Sequence, residues 1–460
     1  MPKNVIIGGG PAGMNAIETI RNFDSSSPIT LISDEQSYAR SALPRLLAKE
    51  ISEAQLRSGS DGSFNRLKVT RHDGRVTRVD TKAKRVEIDS GGSVAYDNLL
   101  IATGLSPQRP PIEGASGKHV HNLWSLADAR ALIESADMKR PSVVLVGAGF
   151  IALIIVNTLH KLGWKLSIAE AGAHILPRML DLEGARTATA WLRDRGVDVY
   201  TGVSVTSIAG GRRKTIALSD GQQLTSHAVL LSGVRPNIGF LKGSGIKVDE
   251  GIVVDDHMQT NVRGVYAAGD VARGPDLLGG PNDIHAFQET AIDHGRIAGA
   301  NMAGQNSAYS GSLSMSTLDI AGLQCTGIGD VNGGGETTVA WDPEASVYRK
   351  LVWDQDRVIG GILVFPAEKA LITAEVEALK TLIRLRIELG SWKQHLQERP
   401  WDLHHAARDA AAQSAPQQVA AKRYPQTRKN PRGRGRMAQS PDMTDMQRPS
   451  GVGMCKSEGS

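Results

Sequence analysis

The chain of 460 residues is long enough for about two or three domains, each with its own core. Its formal net charge is +5, but residues 401–460 carry ten Lys and Arg against five Asp and Glu, so the preceding 400 residues are neutral. A neutral body offers no electrostatic basis for binding nucleic acid or a membrane surface. The two cysteines, Cys325 and Cys455, are too few for a disulfide scaffold or a cysteine-held metal cluster, and no secretion signal is recognisable. We therefore expect a cytoplasmic protein.

A glycine-rich turn lies near the start of the chain. Residues 5–13 read V-I-I-G-G-G-P-A-G, in which the apolar residues predict a strand, and the residues that follow favour a helix. A G-x-G-x-x-G turn between a strand and a helix lets the backbone approach a pyrophosphate. A second strand, residues 28–33, ends before two acidic residues, where a carboxylate suits ribose hydroxyls. The expected dinucleotide contacts are Gly8, Gly10, Pro11, Ala12, Gly13 and either Asp34 or Glu35.

Two arginines follow this second strand. Residues 38–47 read Y-A-R-S-A-L-P-R-L-L and place Arg40 and Arg45 in a loop and helix start beside the cofactor. Their side chains either contact a diphosphate or an acidic partner, or they form a solvated face. The residues alone do not decide between these possibilities.

Short strands are predicted within residues 68–101. The last of them ends in a turn of small residues, Ala102, Thr103 and Gly104, where the backbone can lie against a flat ring. We also expect Val76, within this region, to contact the cofactor.

A second strand–turn–helix unit follows a stiff connection. Residues 107–114, P-Q-R-P-P-I-E-G, are where we place a crossing between domains. Residues 142–152 then read S-V-V-L-V-G-A-G-F-I-A. Residues 143–159 are apolar over a length close to that of a bilayer core, but the glycine turn within them favours a buried strand and helix over a membrane span. The expected contacts of this second site are Gly147, Gly149, Phe150, Ile151 and, at the end of the next strand, Glu170.

The acidic residue of the second site indicates which nicotinamide cofactor is used. A carboxylate at Glu170 accepts ribose hydroxyls and repels a 2′-phosphate. Residues 171–173, A-G-A, offer no cation to receive that phosphate. The sequence therefore favours NADH over NADPH.

The chain then returns to the first unit. Short strands are predicted within residues 197–232, and G-V-R-P-N, beginning at Gly233, leads back. A strand ending in A-A-G-D delivers Gly269 and Asp270 to the C-terminal edge of the first sheet, where ligands of such folds bind. Residues 291–304 predict a helix whose small residues face the cofactor.

These segments together resemble the pyridine-nucleotide-dependent flavoprotein reductases of the glutathione-reductase-like superfamily. Within it, the chain is most similar to the branch of NADH-dependent nitrite reductases and ferredoxin or rubredoxin reductases. The similar segments lie within residues 4–304 and read V-I-I-G-G-G-P-A-G, Y-A-R-S-A-L-P-R, L-L-I-A-T-G, V-L-V-G-A-G-F-I-A, H-I-L-P-R-M-L-D, G-V-R-P-N and G-V-Y-A-A-G-D-V-A.

The expected fold class is α/β, with two Rossmann-like dinucleotide-binding domains, a small C-terminal α+β domain and a disordered basic tail. The resemblance implies that FAD binds the first domain and NAD an inserted second one. It also implies that the first glycine turn binds the FAD pyrophosphate, that Arg45 stands where the family often has a lysine, and that Asp270 holds the ribityl chain and phosphate. The expected boundaries are 1–112 and 234–310 for the FAD domain, 113–233 for the NAD domain, 311–400 for the C-terminal domain and 401–460 for the tail.

The chain departs from the family pattern in three ways. Members that work through a thiol carry a cysteine near residues 38–47, and this chain has none, so its flavin is expected to pass electrons on directly. The second fingerprint ends at Ala152 rather than at glycine. Ile154 stands where the family usually has a glutamate near the nicotinamide, which leaves a degenerate second site as an alternative.

Residues 313–365 resemble the β-rich C-terminal domain of this branch, which in the family closes over the flavin and helps set the acceptor or the dimer contact. We expect Cys325, within it, to be a buried packing thiol rather than a redox centre. Residues 367–389 predict a helix that faces the core or another subunit.

From residue 406 onward, Pro, Gly, Gln and cations without apolar periodicity predict disorder. Removal of residues 406–460 is therefore expected to leave flavin content and NADH oxidation unchanged. The basic run is expected to be solvated rather than bound to an acidic partner or RNA. His404 and His405 lack partner ligands for a metal.

The sequence thus predicts an FAD-containing oxidoreductase that takes hydride from NADH and passes electrons to an acceptor. Hydride transfer to a flavin requires orientation rather than an acid–base pair, so no catalytic residue is assigned. With no cysteine set for an iron–sulfur cluster, such a centre would lie on an acceptor protein or partner subunit. Nitrite, through a separate subunit, and oxygen are also open as acceptors, and a homodimer is open. The alternatives are a flavoprotein subunit of a 2-oxoacid (phenylglyoxylate-type) dehydrogenase complex and a non-enzymatic FAD-binding regulator.

Overall fold

The structure is a computed structural model, and it describes residues 1–36, 38–56, 61–135, 141–368, 372–410 and 412. These residues form an α/β fold with two parallel five-stranded sheets and a five-stranded antiparallel sheet. Among them, no helix is both long and apolar enough to cross a bilayer.

The strands are β1 (Asn4–Ile7), β2 (Ile29–Ser33), β3 (Val69–Asp73), β4 (Val76–Asp80), β5 (Arg85–Ile88), β6 (Ser93–Ala95), β7 (Asn98–Ile101), β8 (Leu105–Pro107), β9 (Val120–His121), β10 (Ser142–Val146), β11 (Lys165–Glu170), β12 (Asp198–Thr201), β13 (Val205–Ala209), β14 (Lys214–Leu218), β15 (Gln223–Ser226), β16 (Ala228–Leu231), β17 (Val234–Pro236), β18 (Val248–Asp249), β19 (Gly251–Val253), β20 (Val265–Ala267), β21 (Ala272–Arg273), β22 (Met315–Ile320), β23 (Leu323–Gly329), β24 (Glu336–Asp342), β25 (Val347–Asp354) and β26 (Arg357–Pro366). The helices are α1 (Pro11–Phe23), α2 (Leu43–Leu47), α3 (Glu53–Leu56), α4 (Asp61–Arg66), α5 (Leu126–Ser135), α6 (Phe150–Lys161), α7 (Leu182–Asp194), α8 (Gln288–Met302), α9 (Ile372–Arg384) and α10 (Ser391–Glu398), and residues 403–410 are also helical.

The first parallel sheet has the order β20-β7-β1-β2-β3. Because its strands are parallel, the turns after β1, β2, β7 and β20 all lie at one edge. Helices α1 and α8 pack closely, since a Cβ on Gly295 would lie 2.2 Å from the Ala12 carbonyl oxygen and one on Gly299 would lie 2.6 Å from that of Ala16. The prediction that the small residues of this helix face the cofactor is wrong for these two glycines, because their lack of a side chain admits the α1 backbone.

The second parallel sheet has the order β12-β11-β10-β16-β9. Strand β10 and helix α6 occupy the long apolar segment, so its interpretation as a buried strand–helix unit is confirmed. The chain passes between the two sheets on β8 and β17, which pair antiparallel from Leu105–Pro236 to Pro107–Val234. Both crossings therefore lie side by side.

The antiparallel C-terminal sheet, in the order β22-β23-β26-β25-β24, contacts α7. The Tyr348 hydroxyl donates a hydrogen bond of 2.6 Å to Asp181, whose carboxylate also accepts from Lys350 and from the first turn of α7. Cys325 is fully buried in this sheet, and burial raises the pKa of its thiol far above the usual range. A protonated, enclosed thiol agrees with the expected packing role.

The end of the described chain belongs to the core. Helix α9 contributes fully buried residues, such as Leu379 and Leu382, to an apolar cluster under the C-terminal sheet, and so faces the core. The helical residues 403–410 join the same cluster through Leu403, Ala406 and Ala410. The prediction of disorder is therefore wrong for residues 401–410. Alanine is only weakly apolar, so its spacing in the sequence does not predict a buried helix face. In the structure the alanine methyl groups pack against the apolar cluster under the C-terminal sheet. Residues 413–460 lie outside the described residues.

Two truncations of the C-terminus should differ in stability. A chain that stops after Gln413 keeps Ala406, Ala407 and Ala410 in the apolar cluster, whereas one that stops after His405 loses them. Since each buried methyl or methylene contributes roughly 0.8 kcal/mol, we expect the shorter chain to be less stable by about 2 kcal/mol or more. Urea unfolding of both truncated proteins measures this difference, and equal midpoints would show that the helix adds nothing to the core.

Candidate dinucleotide-binding sites

Two glycines of the first turn are required by packing, and the third leaves space. Gly8 has φ +105°, and a Cβ on it would lie 2.3 Å from the Ala102 carbonyl oxygen. A Cβ on Gly13 would lie 2.1 Å from the Gly8 carbonyl oxygen. Gly10 has φ −75° and no atom within 4 Å of its Cβ position. The turn thus leaves an open space in front of α1.

That open space is suited to an anion. Gly10 is the N-cap of α1, a helix of 13 residues, and it has no side chain that could cap the first N–H groups. Pro11 begins the helix without an N–H, and Ala12 is buried. The free N–H groups and the positive end of the helix dipole favour a phosphate in this position.

Asp270 lies beside this helix end. It follows β20 in a 3-10 turn, where a Cβ on Gly269 would lie 3.1 Å from the Cβ of Ala12. Burial raises the pKa of the Asp270 carboxyl to about 6, while the charge of Arg40 acts in the opposite direction. The fold therefore holds a carboxylate where its ionisation is unfavourable, a pattern typical of a functional site.

Both candidate ribose ligands of the first site are ion-paired. Asp34 accepts from Arg75 at 2.8 and 3.0 Å, and Glu35 from Arg40 at 2.9 Å. The two carboxylates are 47% and 42% exposed, so ligand hydroxyls can still reach them. The geometry does not choose between Asp34 and Glu35.

The two predicted arginines have different surroundings. Arg40 contacts Glu35 and the carbonyl oxygen of Trp124, and its charge acts on Asp270. Arg45 pairs with Glu50 at 3.4 Å, and its side chain is 62% exposed. The structure thus brings Arg40 into the group of predicted site residues but does not hold Arg45 there.

The small-residue turn after β7 connects the first site to the crossing strands. The Thr103 hydroxyl donates to the Asn237 carbonyl oxygen at 3.0 Å, and the Asn237 amide donates to the Thr103 carbonyl oxygen at 2.8 Å. Gly104 has φ +62° and no atom within 4 Å of its Cβ position. The side chain of Val76 is 5% exposed and belongs to the apolar core that includes the strands of the first sheet, so it is packed in the core and not open to a ligand.

The second glycine turn repeats the geometry of the first. Gly147 has φ +93°, and a Cβ on it would lie 2.6 Å from the Ser232 hydroxyl oxygen. Gly149 is the N-cap of α6, without a side-chain cap and with no atom within 4 Å of its Cβ position. The methyl group of Ala152 is buried where the fingerprint has its third glycine. Alanine is therefore accommodated at this position.

The remaining predicted residues surround this turn. Phe150 and Ile151 begin α6, and the Phe150 side chain is 37% exposed. Gly233 is exposed and follows β16, and a Cβ on it would lie 3.3 Å from the carbonyl oxygen of Gln108.

Glu170 is fixed in place by the backbone. Its carboxylate accepts N–H groups from Ala148 and Gly172, each at 2.6 Å. One oxygen therefore faces the glycine turn, and the other faces the loop after β11. Because this carboxylate also organises the turn, its removal would change the local backbone as well as any ribose contact.

Ile154 packs against an apolar cluster that includes Leu43 and Leu46 of α2. The wall of α6 at this position is therefore apolar, as the sequence indicates. The contact joins α6 of the second parallel sheet to the segment that carries Arg40 and Arg45.

The sequence analysis does not identify four residues that lie near the predicted ones: Arg75, Trp124, Ser41 and Gln288. Arg75 donates to Asp34, and the carbonyl oxygen of Trp124 accepts from Arg40. The side-chain oxygens of Ser41 and Gln288 lie 3.3 Å apart. A signal for Gln288 is its position at the start of the helix that follows Asp270. The others have no local signature.

Comparison with known proteins agrees with this geometry. A family model described as pyridine nucleotide-disulphide oxidoreductase matches residues 2–295. The chain belongs to this family.

Three relatives illustrate its range. The NADH-dependent phenylglyoxylate dehydrogenase subunit epsilon of Aromatoleum evansii is 30% identical over 371 residues, 78% of this chain and 87% of that protein. The ferredoxin–NAD(+) reductase component of the biphenyl dioxygenase system of Paraburkholderia xenovorans is 31% identical and covers 74% of this chain and 84% of its own. The solved NAD-dependent persulfide reductase from A. fulgidus superposes with a TM-score of 0.76 at 26% identity, over 83% of this chain and 77% of its own.

Membership of this family makes the protein an oxidoreductase that uses FAD and NAD(H). It takes reducing equivalents from NADH through FAD to an acceptor, as the sequence indicates. Two open helix ends, each with an acidic residue at the end of a neighbouring strand or just after it, fit two dinucleotides.

Alanine at the two open glycines should separate the two sites. Gly10 and Gly149 have φ −75° and −76° and free space at Cβ, so Gly10→Ala and Gly149→Ala should fold like the parent protein. The added methyl group intrudes on the space for the anion, which should weaken the cofactor at that site by about tenfold, or 1.4 kcal/mol. FAD titration and the KM for NADH measure the two effects. A loss of FAD affinity in Gly149→Ala alone would reverse the assignment of the sites.

Asp270→Asn should stabilise the flavin-free protein near neutral pH while it weakens FAD binding. The folded-state pKa of about 6 lies above the reference value of 3.8, so the folded state binds this proton more tightly. The stability that this bound proton contributes is fully present below pH 4 and is lost as the pH rises through 6. At pH 7.5 the substitution should therefore add about 1 to 3 kcal/mol to the free energy of unfolding. Denaturant unfolding of both proteins at pH 4 and 7.5 tests this, and a difference that does not grow with pH contradicts the assignment.

Proposed function

We propose that the first parallel sheet binds FAD, with the diphosphate at Gly10, and that the second binds NADH at Gly149. The FAD domain then comprises residues 1–112 and 234–310, with residues 113–233 inserted as the NAD domain. Residues 311–410 form the C-terminal domain. The observation that carries this proposal is the pair of uncapped helix ends, since each offers free N–H groups to a phosphate.

Bound FAD supplies the chemistry of accepting a hydride and releasing electrons. The residues of the chain bind and orient: Asp270 faces the ribityl–phosphate region, and Asp34 or Glu35 the adenosine ribose of FAD. Glu170 takes the adenosine ribose of NADH. Cys325 is fully buried, and no other cysteine is among the described residues, which supports direct electron transfer from the flavin without a thiol.

We propose a protein that takes electrons only, such as a ferredoxin or rubredoxin, as the acceptor. The support is the ferredoxin–NAD(+) reductase component of the biphenyl dioxygenase system, which matches 74% of this chain. A second candidate is the role of a flavoprotein subunit in a 2-oxoacid dehydrogenase complex. It is favoured by the phenylglyoxylate dehydrogenase subunit, of which the match covers 87%.

Steady-state kinetics separate these functions. NADH oxidation with ferricyanide should be rapid, because the flavin needs no specific docking for a small oxidant. A reductase of the first kind should also reduce an added ferredoxin or rubredoxin with saturation, whereas a complex subunit should do so poorly and should co-purify with partner chains. Absence of NADH oxidation with ferricyanide would overturn both candidate functions, and a role as a non-enzymatic FAD-binding regulator would remain.

Ala171→Arg should increase the use of NADPH. Ala171 is exposed and directly follows Glu170, while the hydrogen bonds of Glu170 to Ala148 and Gly172 are retained. The guanidinium supplies the cation that a 2′-phosphate needs, so we expect kcat/KM for NADPH to rise about tenfold, which corresponds to one charge-assisted hydrogen bond. Ala171→Gln is the uncharged control. Steady-state oxidation of NADH and NADPH with ferricyanide measures the change in kcat/KM, and an equal gain in the control would exclude the charge as the cause.

A further inference from the structure

Arg40 is held by groups on both sides of the boundary between the proposed FAD and NAD domains. One guanidinium nitrogen pairs with Glu35 at 2.9 Å, and another donates to the carbonyl oxygen of Trp124 at 2.6 Å. The guanidinium carbon lies 5.3 Å from the ring centre of Tyr38 and 5.2 Å from that of Trp124. Two aromatic faces and two oxygen acceptors therefore fix the orientation of a side chain that is still 37% exposed.

Trp124 is itself rigidly anchored. Its indole N–H donates to the carbonyl oxygen of Leu105 on β8 at 3.1 Å. Its backbone N–H donates to Asp128 at 3.2 Å, and that carboxylate also accepts from the backbone and hydroxyl of Ser125, each at 2.8 Å. The residue thus lies between a crossing strand and the first turn of α5, and both limit its movement.

We infer that Trp124, a residue of the proposed NAD domain, positions Arg40 for FAD bound in the other domain. The inference rests on the proposed function. Arg40 is the cation whose charge acts on Asp270, and it also neutralises Glu35, one of the two candidate ribose ligands. Without the indole, the long arginine side chain can adopt more rotamers. Ordering this side chain when FAD binds then costs conformational entropy, which weakens FAD binding.

The design of the test depends on which contact each substitution removes. Trp124→Phe keeps an aromatic face over Arg40 and loses the indole N–H. Trp124→Leu loses both, while either variant retains the backbone carbonyl oxygen that Arg40 contacts. Trp401→Leu is the matched control, since Trp401 is 52% exposed and lies in the C-terminal segment.

The measurement is fluorescence titration of FAD into flavin-free protein, with thermal unfolding of the same samples. We expect Trp124→Leu to raise the Kd for FAD about tenfold, and Trp124→Phe and the control to change it less than about threefold. In an Arg40→Ala background, which should itself bind FAD weakly, Trp124→Leu should have no further effect, because the indole acts through the arginine. The unfolding temperature of the flavin-free proteins should differ little.

Two results would overturn the inference. One is a Trp124→Leu protein with the FAD affinity of the parent. The other is an equal loss of affinity with and without Arg40, which would mark Trp124 as generally structural. Failure of the proposed function looks different, since Gly149→Ala rather than Gly10→Ala would then weaken FAD binding.

Discussion

The end of α1 in front of Gly10 is the constraint on which the first half of the chain depends. A helix that begins without a side-chain cap leaves N–H groups unsatisfied, and here the space before them is kept open. Gly8 and Gly13 maintain that space because any Cβ on them would meet a carbonyl oxygen within 2.3 Å. Further along α1, the helix packs closely against α8, because Gly295 and Gly299 of α8 have no side chains. The packing thus fixes the helix whose open end is suited to an anion.

The charges around this helix end are arranged for a ligand rather than for the stability of the empty protein. Asp270 is held where burial opposes its ionisation, and the arginine that counteracts this effect is shared with Glu35. Such an arrangement costs folding free energy and is typical of binding sites. At the second site the strategy differs. The Glu170 carboxylate accepts two backbone N–H groups, from Ala148 and Gly172.

The two sites are not independent units of structure. Ile154 of α6 lies in one apolar cluster with the leucines of α2, and Trp124 holds Arg40 across the same boundary. The C-terminal sheet is fixed to the second unit through Tyr348 and Asp181. The first two contacts join segments that carry predicted residues of the two candidate sites, and the third joins α7 to the C-terminal sheet. Electron transfer between two cofactors requires this fixed relation.

The sequence by itself determined the fold class, both glycine turns and the edge at which Asp270 lies. The glycine turns and the acid depend on local rules: a positive φ at Gly8 and Gly147, the close approach of Gly13 to the nearby Gly8, and an acid after a strand. The tertiary structure decided which side chains meet. Arg40 and Arg45 are five residues apart and chemically identical, yet one is stacked between two rings and the other is solvent-exposed. Likewise Arg75 reaches Asp34 across 41 residues, and Ala406 becomes core. Contacts between residues so distant in sequence depend on tertiary packing, and a local sequence pattern therefore does not predict them.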